Sequence, residues 1–278
     1  MADAGNGKRE ESLRVFNQAA STYDQVGPGS FSYFGQRLAD LAEISSGAKV
    51  LDVAAGRGAL LFPAAAKVGP TGHVTGIDFA PNMVRETTKD IESRKLRNAE
   101  IGQMEAEQMN FAGASFDYVL CGFALWMFAD PARVLHEFHR VLRGGGCVAL
   151  STWAADSPSL TWCHEVLRPF VHSPAAMDLP AKIDVRFDTP SQIETALQQA
   201  GFKNIRITVE ENEFIYANEE QYWSTLWSAG IRRLLEKLTP ALLEQAKCEV
   251  FRKLQTTKKP DGFHKVSRAL FAIGTKPV

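Results

Sequence analysis

The sequence predicts an α/β fold, a mostly parallel sheet with helices on both faces and an added helical cap. Three observations carry that expectation: short apolar runs alternate with helical patterns over residues 49–153, a glycine turn follows the first of those runs, and the flanking segments lack the alternation. Composition agrees. The chain has 278 residues, 45% hydrophobic and 23% charged, enough for a sizeable core, and no apolar run approaches the roughly 20 residues of a membrane-spanning helix. Lys and Arg number 31 against 32 Asp and Glu, for a net charge of −1, so there is no overall positive field to neutralise a phosphate backbone and nucleic acid is not an expected partner. The segment 1–11 is polar and small, without a signal-peptide or transit-peptide pattern, and a cytoplasmic location is expected. Cys121, Cys147, Cys163 and Cys248 lie far apart with no C-x-x-C pair, which argues against a disulfide framework or a zinc site.

The elements follow in order. In 11–41 the residues Leu13, Phe16 and Ala20, then Phe34, Leu38 and Leu41, recur at helical spacing around the turn Gly27-Pro28-Gly29-Ser30, so two helices with a hinge are expected. Strands are predicted at 49–54, 73–79, 99–104, 116–123 and 146–153. Helices between them begin near Ala59, at Pro81 and at Pro131, each proline in a first turn where its missing N–H costs nothing. Asp130 is the expected N-cap of the last, which buries Val134, Leu135, Phe138, Val141 and Leu142 and ends at Gly144-Gly145-Gly146. Beyond 154 a helix at 191–200 and strands at 204–215 and 266–273 complete the sheet. A helical pair is predicted at 219–238, capped by Asn218 with Gln221, and at 240–254, capped by Thr239. The expected organisation is an N-terminal cap segment, 1–45, and a main domain, 46–278, with cap insertions near 155–187 and 217–256.

The chemistry-bearing stretch runs from Val50 through Asp52, Ala54, Gly56 and Gly58 to Leu60: a buried strand, a glycine turn and a helix. Gly56 and Gly58 let the backbone approach a ligand, and the helix N-terminus behind them favours an anionic group. Asp78, 22 residues beyond Gly56 at the end of the second strand, is placed to accept the hydroxyls of a ribose. Leu61 stands where a dinucleotide fingerprint needs a small residue, which disfavours NAD. Asp52 instead suits a ligand with an ammonium beside its carboxylate, as in the methionine part of S-adenosyl-L-methionine.

Asp52-x-Ala54-x-Gly56-x-Gly58 resembles the first motif of class I S-adenosylmethionine-dependent methyltransferases, with Ala54 in place of the usual first glycine. The stretch from Met104 through Glu105, Ala106 and Glu107 to Phe111 is similar to the family's Gly-Asp-Ala-Glu-x-Leu-Pro-Phe segment, and Phe116-Asp117-Tyr118-Val119 to the start of its fourth strand. The likeness covers 49–153 and is weak elsewhere. It implies a Rossmann-like, seven-stranded, mostly parallel sheet and S-adenosylmethionine as cofactor. It further implies that Glu105 accepts from the adenine amino group while the Ala106 N–H donates to the ring. The Tyr23-Asp24 pair resembles one in the ubiquinone, menaquinone and natural-product subgroup, which implies that Tyr23 closes over the cofactor carboxylate.

Other candidates carry two readings each. Phe79 and Met83 flank an adenine or only pack at the sheet edge. Cys121 reads as a spacer beside the methionine moiety rather than a nucleophile, since no His or Lys neighbours it. His136 and His139 fall opposite the buried helix face, and no metal site is expected. His164 is the candidate catalytic base, weighed against a polar residue on a lid helix. Tyr222, Trp223, Leu226 and Trp227 form a stripe that packs the lid, lines a binding wall, or both. Phe31, Tyr33, Trp126 and Trp162 complete the candidate substrate-binding set, with Tyr222 and Trp223. No Asn/Asp-Pro-Pro-Tyr or Pro-Cys segment of nucleic-acid methylation is present. The expectation is therefore methyl transfer to a small, fairly apolar metabolite by a monomer or homodimer. Oxygen is the leading acceptor, carbon the second, and a fold keeping the cofactor structurally for ligand binding or cyclisation is a further alternative.

Overall fold

A computed structural model describes residues 2–171 and 187–278. Strands β1 (Lys49–Val53), β2 (His73–Asp78), β3 (Ala99–Gln103), β4 (Phe116–Gly122) and β5 (Leu142–Trp153) run parallel. β6 (Lys203–Tyr216) and the two-residue β7 (Lys258–Lys259) both pair antiparallel with β8 (Gly262–Thr275), which is itself antiparallel to β5. The order is β3-β2-β1-β4-β5-β8-β6, with β7 on the outer part of β8. The sheet thus has eight strands where seven were expected, and the extra one is this two-residue ribbon.

The sheet sorts its residues by alternation, because successive side chains point to opposite faces. Val50, Ala149, Ala269 and Phe271 join one core with α2 (Ser30–Leu41) and α3 (Leu61–Val68). Leu51, Val148, Leu150, Leu270 and Ala272 join the other, beneath α5 (Pro131–Val141) and α7 (Pro190–Gln199). Helix α4 (Pro81–Ser93) covers β2 and β3. Asp130 caps α5 as expected, its carboxylate accepting from Arg133 N at 3.0 Å.

Several boundaries shift by a few residues from the sequence reading, as β8 does by starting at Gly262, and two of the differences change an element. α5 ends at Val141, and Leu142 already pairs with Phe116, so Gly144, Gly145 and Gly146 lie within β5 where its register shifts. The glycines form an irregular stretch tied to the C-terminal segment, with Gly145 N donating to Lys276 O at 2.9 Å. The helix predicted at 219–238 is two: α8 (Glu219–Trp227) and the single turn α9 (Arg232–Leu235), parted at Ser228 to Ile231, where Gly230 favours a break.

The cap is built from the N-terminal helices, the helix after β5 and the helices between β6 and β8. α1 (Ala2–Ala19) packs on α4 and α9, while α6 (Pro158–Val171) packs on α10 (Pro240–Leu254) and β8. The rest of the insertion expected near 155–187 lies outside the described residues. α2 is pressed against the glycine turn that follows β1: a Cβ on Gly35 would stand 2.3 Å from Ala59 O, so only glycine allows that approach.

Candidate active site

At the carboxyl end of β1 the chain turns sharply. Ala54 takes a left-handed conformation, φ 56°, and Gly56 and Gly58 follow at φ 51° and 79°. A side chain at Gly58 would also meet the Phe62 ring at 2.5 Å. Asp78 anchors this turn. One of its oxygens accepts from Gly56 N and the other from Ala80 N, each at 2.9 Å. Thr87 Oγ1 closes the same loop by donating to Gly56 O at 2.7 Å. Arg57 lashes it to two helices, donating to Ala20 O at 2.7 Å and to Asp90 at 2.6 Å.

Burial dominates the electrostatics. It pushes the Asp78 carboxyl up from 3.8 to about 6, against the hydrogen bonds from Ala80, Gly56 and Phe79 that pull it down. Asp52 is raised well above the carboxylate range, by burial first and by the Asp78 charge second. Its Oδ2 is buried with no hydrogen-bond partner among the described residues. A buried carboxylate oxygen without a donor is a costly arrangement that an ammonium group would satisfy.

Two cavities share a wall beside this turn. The first, of about 100 Å³, is lined by Tyr23, Ala54, Gly56, Asp78, Phe79, Met83, Glu105 and Ala106 among others. Those eight sequence candidates therefore come together, from α1's end, β1, β2, α4 and the segment after β3. Asp52 lines an adjoining recess with Tyr23, Ala54 and Gly56. Gly58 and Cys121 line neither: Gly58 shapes the turn, and Cys121 is wholly buried in the core beneath it. Burial and the Asp52 carboxylate push the Cys121 thiol up, the opposite of an activated nucleophile. Gly122, Phe123 and Ala124 supply the wall in its place. Glu105 is held by Arg9 of α1, whose Nε donates to Glu105 at 3.0 Å while a second guanidinium nitrogen contacts the other oxygen.

Tyr23 owes its position to Asp24. That carboxylate accepts from Phe31 N at 3.1 Å and from Ser32 N at 2.7 Å, closing the start of α2. Tyr23 then stacks on Phe31 with ring centroids 5.0 Å apart.

The second cavity, of about 440 Å³, lies under the cap. Of the residues named as candidates for catalysis or substrate binding, Phe31, Trp126 and Tyr222 line it, and Tyr33, Trp162, Trp223 and His164 do not. Tyr33 packs on Phe34 and Phe214 and stays 38% exposed. Trp162 meets Tyr222 edge-on and carries the Lys265 ammonium 3.4 Å above its face, and burial lowers that lysine to about 7. Trp223 packs against Trp227. His164 is half-buried on α6, and burial lowers its pKa. The sequence reading missed Phe16, Trp153, Tyr216, Arg233 and Lys237, which line the cavity. Only Arg233 and Lys237, four apart on a predicted helix, left a readable spacing.

A Rossmann-type sheet, a glycine turn at the end of its first strand and acidic residues ending β1 and β2 define a nucleotide-cofactor enzyme. Residues 44–201 match the family model described as methyltransferase domain. Nocamycin O-methyltransferase of Saccharothrix syringae is 33% identical over 251 residues, covering 86% of this chain and 89% of that protein. Aklanonic acid methyltransferase DauC of Streptomyces sp. strain C5 is 40% identical over 144 residues; the match takes in 52% of this chain and 66% of DauC. A putative methyltransferase from Bacillus halodurans C-125 shares the fold, with TM-score 0.59 and 22% identity over 87% of this chain and 98% of that one. The chain belongs to the class I S-adenosylmethionine-dependent methyltransferases, and S-adenosylmethionine is its cofactor.

Proposed function

We propose that the chain transfers a methyl group to an oxygen of a small, fairly apolar metabolite of the natural-product or quinone type, in the cytoplasm. The observation that carries this reading is the shared wall: Phe16, Tyr23, Phe123 and Met127 line both the cradle over the glycine turn and the aromatic cap cavity. Asp52 would hold the ammonium of the methionine part and Asp78 the ribose hydroxyls, each Asp78 oxygen keeping a lone pair beside its backbone bond. Glu105 and Ala106 would take the adenine, once Glu105 turns from Arg9. S-adenosylmethionine, when bound, supplies an electrophilic methyl on a sulfonium.

The chain's own contribution is placement. The cap cavity excludes water and orients the acceptor, and alignment of this kind is worth roughly 7–11 kcal/mol of a barrier when the reacting atoms are well placed. Rings of Tyr23 and Phe31 favour a neighbouring positive charge. With His164 outside both cavities, an acceptor oxygen that is already ionised needs no base from that residue. Similarity to an enzyme named as an O-methyltransferase supports oxygen over carbon. The test is transfer of a ¹³C-methyl group from cofactor to a panel of aromatic and polyketide metabolites, with the carbon shift of the product distinguishing oxygen from carbon attachment. Tight cofactor binding with no transfer to any member would overturn the reading.

A further inference from the structure

The cap cavity changes character along its length. Phe31, Phe123, Trp126, Trp153, Tyr216 and Tyr222 give one part of its wall an aromatic face, and its volume of about 440 Å³ suits a fused-ring molecule. Where α1 meets α9 the lining becomes Glu11, Arg233 and Lys237. These side chains are 24%, 20% and 26% exposed, so their charges are screened less than surface charges are. Two cations face one carboxylate. Lys237 Nζ sits 2.8 Å from Glu11, whereas Arg233 Nε is 3.7 Å from it, beyond hydrogen-bond range. That Nε is buried with no hydrogen-bond partner among the described residues. The next carboxylate along, Glu236, is already engaged by Arg14 and Arg232 at 2.6 and 2.7 Å. A second buried donor on the same cavity, Trp126 Nε1, also has no hydrogen-bond partner among the described residues.

We propose that the acceptor is a flat aromatic molecule bearing an anionic oxygen group, a carboxylate or an ionised phenol, that Arg233 receives at the α1–α9 end of the cap cavity. The proposal rests on the methyltransferase reading and names the substrate class of that site. A guanidinium fork matches two anionic oxygens, and aromatic walls stack the rings that carry them. Glu11 competes with the ligand for the same cations, which keeps the rim neutral enough to remain folded when the cavity is empty.

The test uses the full chain loaded with S-adenosylhomocysteine, so that binding is read without turnover, by quenching of tryptophan fluorescence. The probes are anthraquinone-2-carboxylate, its uncharged carboxamide and 2-hydroxyanthraquinone. The carboxylate should bind about tenfold tighter than the carboxamide at neutral pH. Arg233→Gln should erase that preference while leaving carboxamide affinity in place, and Arg233→Lys should keep part of it. Glu11→Gln should tighten the carboxylate severalfold, a gain that a structural role would not produce. If only the hydroxy probe gains, and only above its own pKa, the anion is a phenolate; a carboxylate gain at neutral pH assigns the carboxylate. Equal binding of all three probes, or equal loss of carboxylate and carboxamide in both Arg233 variants, overturns the proposal. Failure of methyl transfer with the preference intact counts against the enzymatic reading alone, and transfer to an uncharged acceptor without the preference counts against this inference alone.

Discussion

The two cavities are made of different materials. The cofactor cradle is backbone and carboxylate: strand ends, a left-handed turn and Asp78 gripping two N–H groups. The cap cavity is side chain, with rings contributed by α2, β5, β6, α8 and the segment after β4. A backbone cradle tolerates few variations, since its geometry is fixed by hydrogen bonds; an aromatic cavity can be resurfaced one side chain at a time. On the proposed function, the difference separates where selectivity for cofactor and selectivity for acceptor would be stored.

The sharpest way to break the comparison is at Asp78. Asp78→Asn should weaken cofactor binding roughly 100-fold by calorimetry, since two charge-assisted bonds of about 1.5 kcal/mol each are lost. It should leave the cap cavity's affinity for an aromatic probe almost unchanged. The converse change, Trp126→Ala, should raise the acceptor KM about tenfold while cofactor affinity stays within about twofold, because the lost contact belongs to the cap side.

Acid should act on the cradle alone. On the proposed ribose contact, the Asp78 carboxyl, raised to about 6 by burial, accepts from both hydroxyls only when ionised, so cofactor affinity should fall as pH drops below about 6, by up to about tenfold per unit. Stability moves the other way. An acid with folded pKa above its unfolded value binds more protons when folded, so its contribution favours the folded state below the unfolded value near 3.8. That contribution is lost as pH rises to about 6. Calorimetry of the cofactor in buffers of different ionisation enthalpy should show proton release near pH 6.

The smallest effect lies at Ala54. Its left-handed backbone costs an L-residue about 1 kcal/mol, so Ala54→Gly should raise the unfolding free energy, read from a denaturant titration, by up to about 1 kcal/mol, less the extra entropy glycine brings to the unfolded chain. Cofactor affinity should not change.

The cradle was legible because its residues are consecutive or sit at fixed positions on successive strands. The spacing of Asp52, Gly56, Asp78 and Glu105 places them together once the sheet is parallel, whatever the cap does. Cys121 misled because strand alternation decides which of two neighbours faces the ligand: Gly122 and Phe123 line the wall, while Cys121 points into the core. The cap was half legible. Tyr222 and Trp223 are adjacent on one helix and point about 100° apart, and periodicity alone does not say that Tyr222 faces the cavity while Trp223 turns toward Trp227. Arg233 was hidden inside a longer predicted helix that the structure breaks at Ser228 to Ile231.

Phe16, Tyr23, Phe123 and Met127 belong to both cavities, and this common partition makes each ligand a tenant of the other's wall. Thermodynamic reciprocity then ties the two occupancies: whatever factor an acceptor adds to cofactor affinity by ordering the partition, the cofactor adds to acceptor affinity. On the proposed function, a methylated product that no longer fills its side of the partition would loosen the spent cofactor by the same linkage, and the order of release would then depend on these four side chains.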